Sequence, residues 1–185
     1  MENQPKKKFY KKWWFWGIVV IVILSIIGSD SSNPQKVGET SVSNSVNNTV
    51  EKTTTFKVGD QIKLGNSIVT VNKVEYSQGG QYTKPADGNE WVNLNVTIEN
   101  TGSSQQYVTT LGQMFIRDSE KNSYQVSVTN KAMENPGFGL DGSVIAQSKR
   151  TGWVGFEIKK GATGLQFQYN GSMFGGKSAL VDLGR

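Results

Sequence analysis

The sequence predicts an all-β fold, and three observations carry that reading. From Thr55 onward, short segments alternate apolar and polar residues with a period of two. Turn residues separate those segments: Gly65-Asn66, Asp87-Gly88, Asn100-Thr101-Gly102 and Gly161. No helical periodicity runs long enough to compete. About seven to nine short strands in about 130 residues make a β-sandwich or a barrel. One polar and one apolar face per strand fits two sheets packed on a single core.

The elements follow in order. Ile68 to Tyr76 alternates with one offset near Asn72-Lys73, the mark of a bulge. Trp91 to Glu99 is the cleanest strand, with Val92, Leu94, Val96 and Ile98 on one face and Asn93, Asn95 and Thr97 on the other. Met114–Arg117 and Ser123–Ser127 are joined by the polar hairpin Asp118-Ser-Glu-Lys-Asn122. In Thr151–Ile158, Val154, Phe156 and Ile158 share a face. Leu165–Tyr169 and Ala179–Leu183 complete the pattern.

Upstream of the strands the composition changes twice. Residues 1–12 hold Lys6, Lys7, Lys8, Lys11 and Lys12 against the single acid Glu2. The rest of the chain carries 15 basic and 14 acidic side chains, so the pI near 9.3 describes a short arm. Nucleic-acid binding needs a basic surface to displace phosphate counterions, and the near-neutral body offers none; no nucleic-acid partner is expected.

The segment 13–28 reads as a membrane anchor. Trp13, Trp14, Phe15 and Trp16 form an aromatic belt, and Ile18, Val19, Val20, Ile21, Val22, Ile23, Leu24, Ile26 and Ile27 form the apolar run. The flanking lysines keep the N-terminus cytoplasmic, which exports the C-terminal domain. The run is short beside the roughly 20 residues of a span, and snorkelling of Lys11 and Lys12 extends it. A cleaved signal peptide is the competing reading, with Ser29-Asp30-Ser31 as its substitute for the usual small-residue site. Residues 29–54, rich in Ser, Thr and Asn, read as a disordered linker with a reach of about 30 Å.

Several stretches then carry a family resemblance. They are Phe56-Lys-Val-Gly-Asp60, Ile68-Val-Thr-Val71, Lys84-Pro-Ala-Asp-Gly88 leading into Trp91, Val96-Thr-Ile-Glu-Asn100, Phe115–Asp118 with Tyr124, and Gly152-Trp-Val-Gly-Phe-Glu157. In this order and spacing, residues 55–185 resemble the Gram-positive exported proteins with an immunoglobulin-like domain of unknown function, related to the mycobacterial secreted immunoprotective antigen. The resemblance implies an immunoglobulin-like β-sandwich and supplies no catalytic residues. Lys121-Asn122 stand where that family usually has a turn glycine. Some members bear a telomere-repeat-binding label, which these residues do not support, since no recognition helix is present.

The chain has no His and no Cys. That excludes a Ser-His-Asp triad, HExxH zinc sites, disulfides and thiol chemistry. Gly171–Ser178 fits GxxxxGK[ST] letter for letter, but the seven following residues read as a strand where a phosphate-binding loop needs a helix; no nucleotide partner is expected. Gly137–Gly142 fits GxGxxG, but no room for the required helix follows; it reads as a loop whose Phe138 and Leu140 cover one end of the core. Asp87, Glu90 and Asp141 read as solvated loop acids, and Asp118 and Glu120 share the hairpin. No calcium-loop motif occurs, so no metal ligand, cofactor or catalytic residue is assigned.

The aromatics flanking the loop 78–89 are the candidate partner surface: Tyr76, Tyr82 and Trp91. Two readings stand. A long loop ending in an exposed Trp presents a binding anchor, or the loop folds over Trp91 and buries it as a satellite cluster. The functional expectation is a membrane-anchored cell-surface binding module of unknown ligand, whether an envelope component or a surface protein. The alternatives are the same domain secreted after cleavage, or a carboxylate-dependent envelope hydrolase. Mass spectrometry of the chain from native membranes is expected to recover the intact N-terminus; a mature chain beginning near Ser29–Ser32 would end the anchor reading.

Overall fold

The computed structural model describes residues 34–38, 54–80, 83–135, 139–172 and 176–185, all within the unit Ser32–Arg185. The basic arm and the anchor expected over 1–28, together with Tyr82 and Phe138, lie outside the described residues. Among the described residues, no helix is long and apolar enough to cross a membrane.

Among the described residues, twelve strands run in order: β1 (Gln35–Lys36), β2 (Thr55–Lys57), β3 (Ile62–Leu64), β4 (Ser67–Ser77), β5 (Asn89–Asn100), β6 (Gln106–Val108), β7 (Met114–Arg117), β8 (Ser123–Ser127), β9 (Gly142–Val144), β10 (Ser148–Lys159), β11 (Gln166–Asn170) and β12 (Ser178–Asp182). The hydrogen-bonded order is β1-β3-β4-β5-β10-β8-β7-β11-β12-β2, with β6 and β9 as a separate ribbon. This ladder folds over into a β-sandwich. Strand β8 makes the turn between layers, pairing with β7 through Ser123–Gln125 and with β10 through Val126 and Ser127.

The alternation in β5 fixes what goes inside. Val92, Leu94, Val96 and Ile98 are all fully buried. They face Met114, Ile116, Phe167 and Val181 of the other layer, all in one continuous core cluster. Phe156 and Phe167 meet edge-on across the layers at 6.4 Å, a favoured geometry for ring quadrupoles. The β4–β5 register shifts between Val71 and Lys73, which is the bulge expected at Asn72-Lys73.

The hairpin joining β7 and β8 is also where the sequence put it. Lys121 takes φ +68°, a left-handed conformation that a glycine adopts without cost, which accounts for the glycine usual at this turn. Asp118 closes the turn by accepting from the Asn122 N–H (2.9 Å), Asn122 Nδ2 (2.8 Å) and the Tyr124 hydroxyl (2.8 Å).

The segment expected to be a free linker is different at its described residues. Gln35 pairs with Lys63 and Lys36 with Ile62, which adds β1 to the sheet edge. The Val37 N–H donates to the Gln61 carbonyl at 2.8 Å, and Lys36 pairs with Asp60 at 2.9 Å. The polar composition of 29–54 hid this, because an edge strand needs backbone groups and almost no apolar side chains.

The outer face of β5 and β10 is covered by the chain leaving β8. Thr129, fully buried, seats directly on Gly155, where an added Cβ would lie 2.3 Å from the Thr129 side chain. Replacing Gly155 with Ala is therefore expected to push Thr129 off the sheet and to cost about 1–3 kcal/mol, read as a lower urea midpoint.

Candidate functional site

Beyond Ser127, β8 ends and the edge of β10 must find other partners. The chain rises through Val128 and Thr129 into the one-turn helix α1 (Asn130–Met133). Thr129 caps that helix, its Oγ1 accepting from the Ala132 N–H at 3.2 Å, and donates to Asn93 Oδ1 on the sheet below. Asn135 then stands in for a missing strand. Its Nδ2 donates to the Trp153 carbonyl at 2.6 Å, and its Oδ1 accepts from the Trp153 N–H at 2.6 Å. On the far side, both oxygens of Asp141 accept from Thr110, one from its N–H (2.6 Å) and one from its hydroxyl (3.1 Å).

These polar pins leave a groove of about 270 Å³ between β8, α1 and the Leu140 turn. Its apolar lining is Val126, Val128, Ala132, Met133, Leu140 and Trp153. Val128 is 76% exposed and Met133 55% exposed at its lip. Lys131 holds α1 on the sheet from outside. It lies 5.2 Å from the Trp153 ring centre and pairs with Glu134 at 2.9 Å. The volume falls just under the roughly 300 Å³ at which small-molecule sites begin, so it suits an inserted side chain better than a free ligand.

Of the expected partner surface, Tyr76 and Trp91 do not share a face of the sheet. Antiparallel cross-strand partners share a face. Tyr76 lies opposite Val92, on the core-facing side, whereas Trp91 lies opposite Ser77 and Glu157, on the outer side. Trp91 is only 3% exposed, which overturns its reading as an exposed anchor and leaves the other one, burial as a satellite. The loop after β4 is fastened next to it: Glu157 Oε1 accepts from the Ala86 N–H (2.9 Å) and from Asn89 Nδ2 (2.8 Å). Trp91 stands outside the main core cluster, as a satellite. These bonds from Asn89 and Ala86 hold the Glu157 carboxyl below its usual range, with the Trp91 indole N–H contributing by proximity without hydrogen-bond geometry. Tyr76 is 39% exposed and stacks under the Arg185 guanidinium at 4.7 Å.

Glu90 is also not a loop acid. It lies in β5, 5% exposed, and its carboxylate meets Arg185 at 2.7 Å and the Gly161 N–H at 3.1 Å. Burial by itself would raise its pKa, but the bonds from Arg185 and Gly161 outweigh that and hold it below the usual range. Burial likewise pushes against ionisation of Asp118, and the Asn122 and Tyr124 bonds reverse it. A second cavity of about 80 Å³ lies at this hairpin, beside Asp118, Glu120 and Lys160. Among the described residues, no three acids gather where they could hold a metal ion. The GxxxxGK[ST] stretch joins β11 to β12, with Asn170 opposite Ser178, so a strand and not a helix follows it. Leu140 of the GxGxxG stretch is buried in the core and leads into β9.

The groove itself escaped the sequence reading. The available signal was the pair of glycines, Gly152 and Gly155, inside one strand, which marks close approach of another segment. Leu140 and Asn135 lie 3.2 Å from a Cβ placed on Gly152, and Thr129 lies on Gly155.

A two-layer β-sandwich defines an architecture rather than any one chemistry. Within it, residues 56–179 match the domain of unknown function DUF4352, and the chain belongs to that family. No curated protein matches the chain. Among solved structures it resembles the yjhA protein of Bacillus subtilis, at 22% identity and a TM-score of 0.53, over 69% of this chain and 98% of that one. It also resembles an uncharacterised β-sandwich protein of Clostridium difficile, at 14% identity and a TM-score of 0.50, over 74% and 99% of the two chains. The secreted protein MPT63 of Mycobacterium tuberculosis matches at 13% identity and a TM-score of 0.50, over 72% and 99%. At these identities the likeness is one of fold.

The Glu90 pairing sets an acid limit on stability. A carboxyl whose folded pKa is depressed stabilises fully above its unfolded value of about 4.3, and that contribution is lost as pH falls through the folded value. Glu90→Gln is expected to lower stability at pH 7 by about 1.5–3 kcal/mol. Urea titrations should find this deficit shrinking as the pH is brought down toward about 2.

Proposed function

We propose that this chain is an extracytoplasmic interaction module, anchored in the cell membrane through 13–28, that receives an apolar side chain of a partner protein in the groove beside α1. The observation that carries this is the exposure of Val128 and Met133 at the lip of an apolar groove whose walls are held by hydrogen bonds. Exposed apolar side chains around a formed pocket are how partner anchors are received. The walls are rigid because Thr129, Asn135 and Asp141 each bind backbone or sheet groups at both ends. Export is supported by the lysine-rich composition of residues 1–12 ahead of the apolar run and by the likeness to MPT63, a secreted protein.

A carboxylate-dependent hydrolase has less in its favour. Asp141, the acid lining the groove, has both oxygens engaged by Thr110. Asp118 and Glu90 likewise spend their oxygens on Asn122, Tyr124, Arg185 and Gly161.

Photo-crosslinking in intact cells tests the site. A photoreactive residue at Val128 or Met133 is expected to give a discrete adduct that the same residue at Lys160 does not. Equal adducts at all three positions, or none at 128 and 133, would remove the groove as the contact.

A further inference from the structure

The groove beside α1 holds a charge that its apolar lining does not account for. Val126, Val128, Ala132, Met133, Leu140 and Trp153 supply the apolar walls, and Asp141 is the single charged residue among those that line it. Val128 and Met133 stand exposed at the lip on the α1 side. Asp141 follows the buried Leu140 on the opposite wall.

The Asp141 carboxylate is positioned without being neutralised. Its two oxygens accept from the N–H (2.6 Å) and the hydroxyl (3.1 Å) of Thr110, both uncharged donors. A carboxylate offers about four lone-pair sites, so these bonds leave each oxygen able to take a further donor. The Arg150 guanidinium donates to the backbone carbonyl of Asp141, and Arg150 is not part of the groove lining. Lys131, beside Trp153, pairs with Glu134 at 2.9 Å and lies 3.9 Å from Glu75. Among the described residues, Asp141 therefore has no ion-pair partner.

We propose that the anchor received here is an arginine side chain of the partner protein, its methylene stem against Val128, Met133 and Leu140 and its guanidinium on the Asp141 carboxylate. The inference rests on the groove reading above and names the chemistry of the residue that enters. Charge complementarity selects it. A leucine or methionine would fill the same walls, but it would strip water from Asp141 and return no counter-charge. An arginine covers apolar surface with its stem and keeps its head at a polar group. Its planar fork matches a carboxylate, its charge is more weakly hydrated than that of lysine, and it stacks on aromatic rings such as that of Trp153. Trp153 already has one cation over its ring, Lys131 at 5.2 Å. A groove of about 270 Å³ takes one such side chain and little more.

The test uses the full chain in a zwitterionic detergent, labelled at its methionine methyl groups for NMR. The chain has four methionines, and Met133→Leu assigns the signal of Met133 at the lip. Met114, fully buried in the core, reports that each variant is folded. Three probes are titrated: N-acetyl-arginine amide, N-acetyl-citrulline amide, which has nearly the same shape without the charge, and N-acetyl-norleucine amide, which is apolar. The arginine probe is expected to shift the Met133 methyl and to bind about three- to tenfold more tightly than either of the others at low salt, an advantage that shrinks as salt is added. Asp141→Asn keeps an acceptor for the Thr110 N–H and removes the charge; it should bring the arginine probe down to the citrulline level. Citrulline or norleucine binding as tightly as arginine to the native chain would overturn the inference, as would an arginine preference that persists in a folded Asp141→Asn. If Asp141→Asn does not fold, the native chain decides: a preference for arginine that is indifferent to salt would overturn the assignment to Asp141. No shift at Met133 with the arginine probe would also overturn it. In that case, adducts in cells at Val128 and Met133 but not at Lys160 would leave the groove as an apolar receptor, and their absence would remove the groove reading too.

Discussion

Everything in this domain is referenced to β5, which pairs with β10 along its whole length on one edge and with β4 from Trp91 to Asn100 on the other. Its register sends Val92, Leu94, Val96 and Ile98 inward, and a slip of one residue would exchange them for Asn93, Asn95 and Thr97. Burying the Asn95 amide and the Thr97 hydroxyl in that apolar core without partners opposes the slip. The two ends of this strand also close the two ends of the sandwich. Asn100 gathers the loops around the β6–β9 ribbon, while Glu90 binds Arg185 and the Gly161 backbone at the opposite rim.

The loops are fastened by amides, hydroxyls and carboxylates that bind backbone groups. This is the physical counterpart of a chain without cysteine: no crosslink restricts the loops, so each is held by satisfying buried donors and acceptors. Asn135 is the clearest case, since one side-chain amide supplies both the donor and the acceptor that a neighbouring strand would have given Trp153. The same economy explains the groove. Where β8 turns from one layer to the other it abandons the edge of β10, and the covering segment meets that edge through polar contacts that leave apolar walls between them. The absence of histidine limits charge-driven changes in stability near neutral pH, so pH sensitivity falls mainly on the carboxylates. Glu90 and Asp118 carry the clearest share, each held ionised against burial by specific bonds.

Much of the fold could be read from residue order. The bulge at Asn72-Lys73, the facing of β5, the Asp118–Asn122 hairpin and the long late strand around Trp153 all sit where alternation and turn residues put them, because these are local consequences of a period of two and of turn chemistry. The short strands β1, β3, β6 and β9 were not legible. They have two or three residues each, too few for a period to register, and β1 owes its state to a neighbour about 27 residues on. Trp91 was legible as lying opposite the core-facing residues, with a buried and an exposed reading both open, and the choice between them depended on where the preceding loop is fastened, which alternation within one strand does not encode.

Residue types and their spacing were thus enough for the strand-rich class, the core face of each long strand and the exclusion of histidine and cysteine chemistry, since each follows from side-chain identity and local periodicity. Which polar residues are buried, which aromatics share a face, and where exposed apolar side chains collect were decided by packing. Glu90 and Trp91 are adjacent in the chain and point to opposite sides of one sheet, and both are buried, Glu90 against the distant Arg185 and Trp91 beside the loop that precedes it. Thr110 and Asp141 are far apart in the chain and meet because the Asp141 carboxylate accepts from both the N–H and the hydroxyl of Thr110. Proximity of this kind is produced by long-range strand pairing and loop closure, and it exists only once the two layers have met.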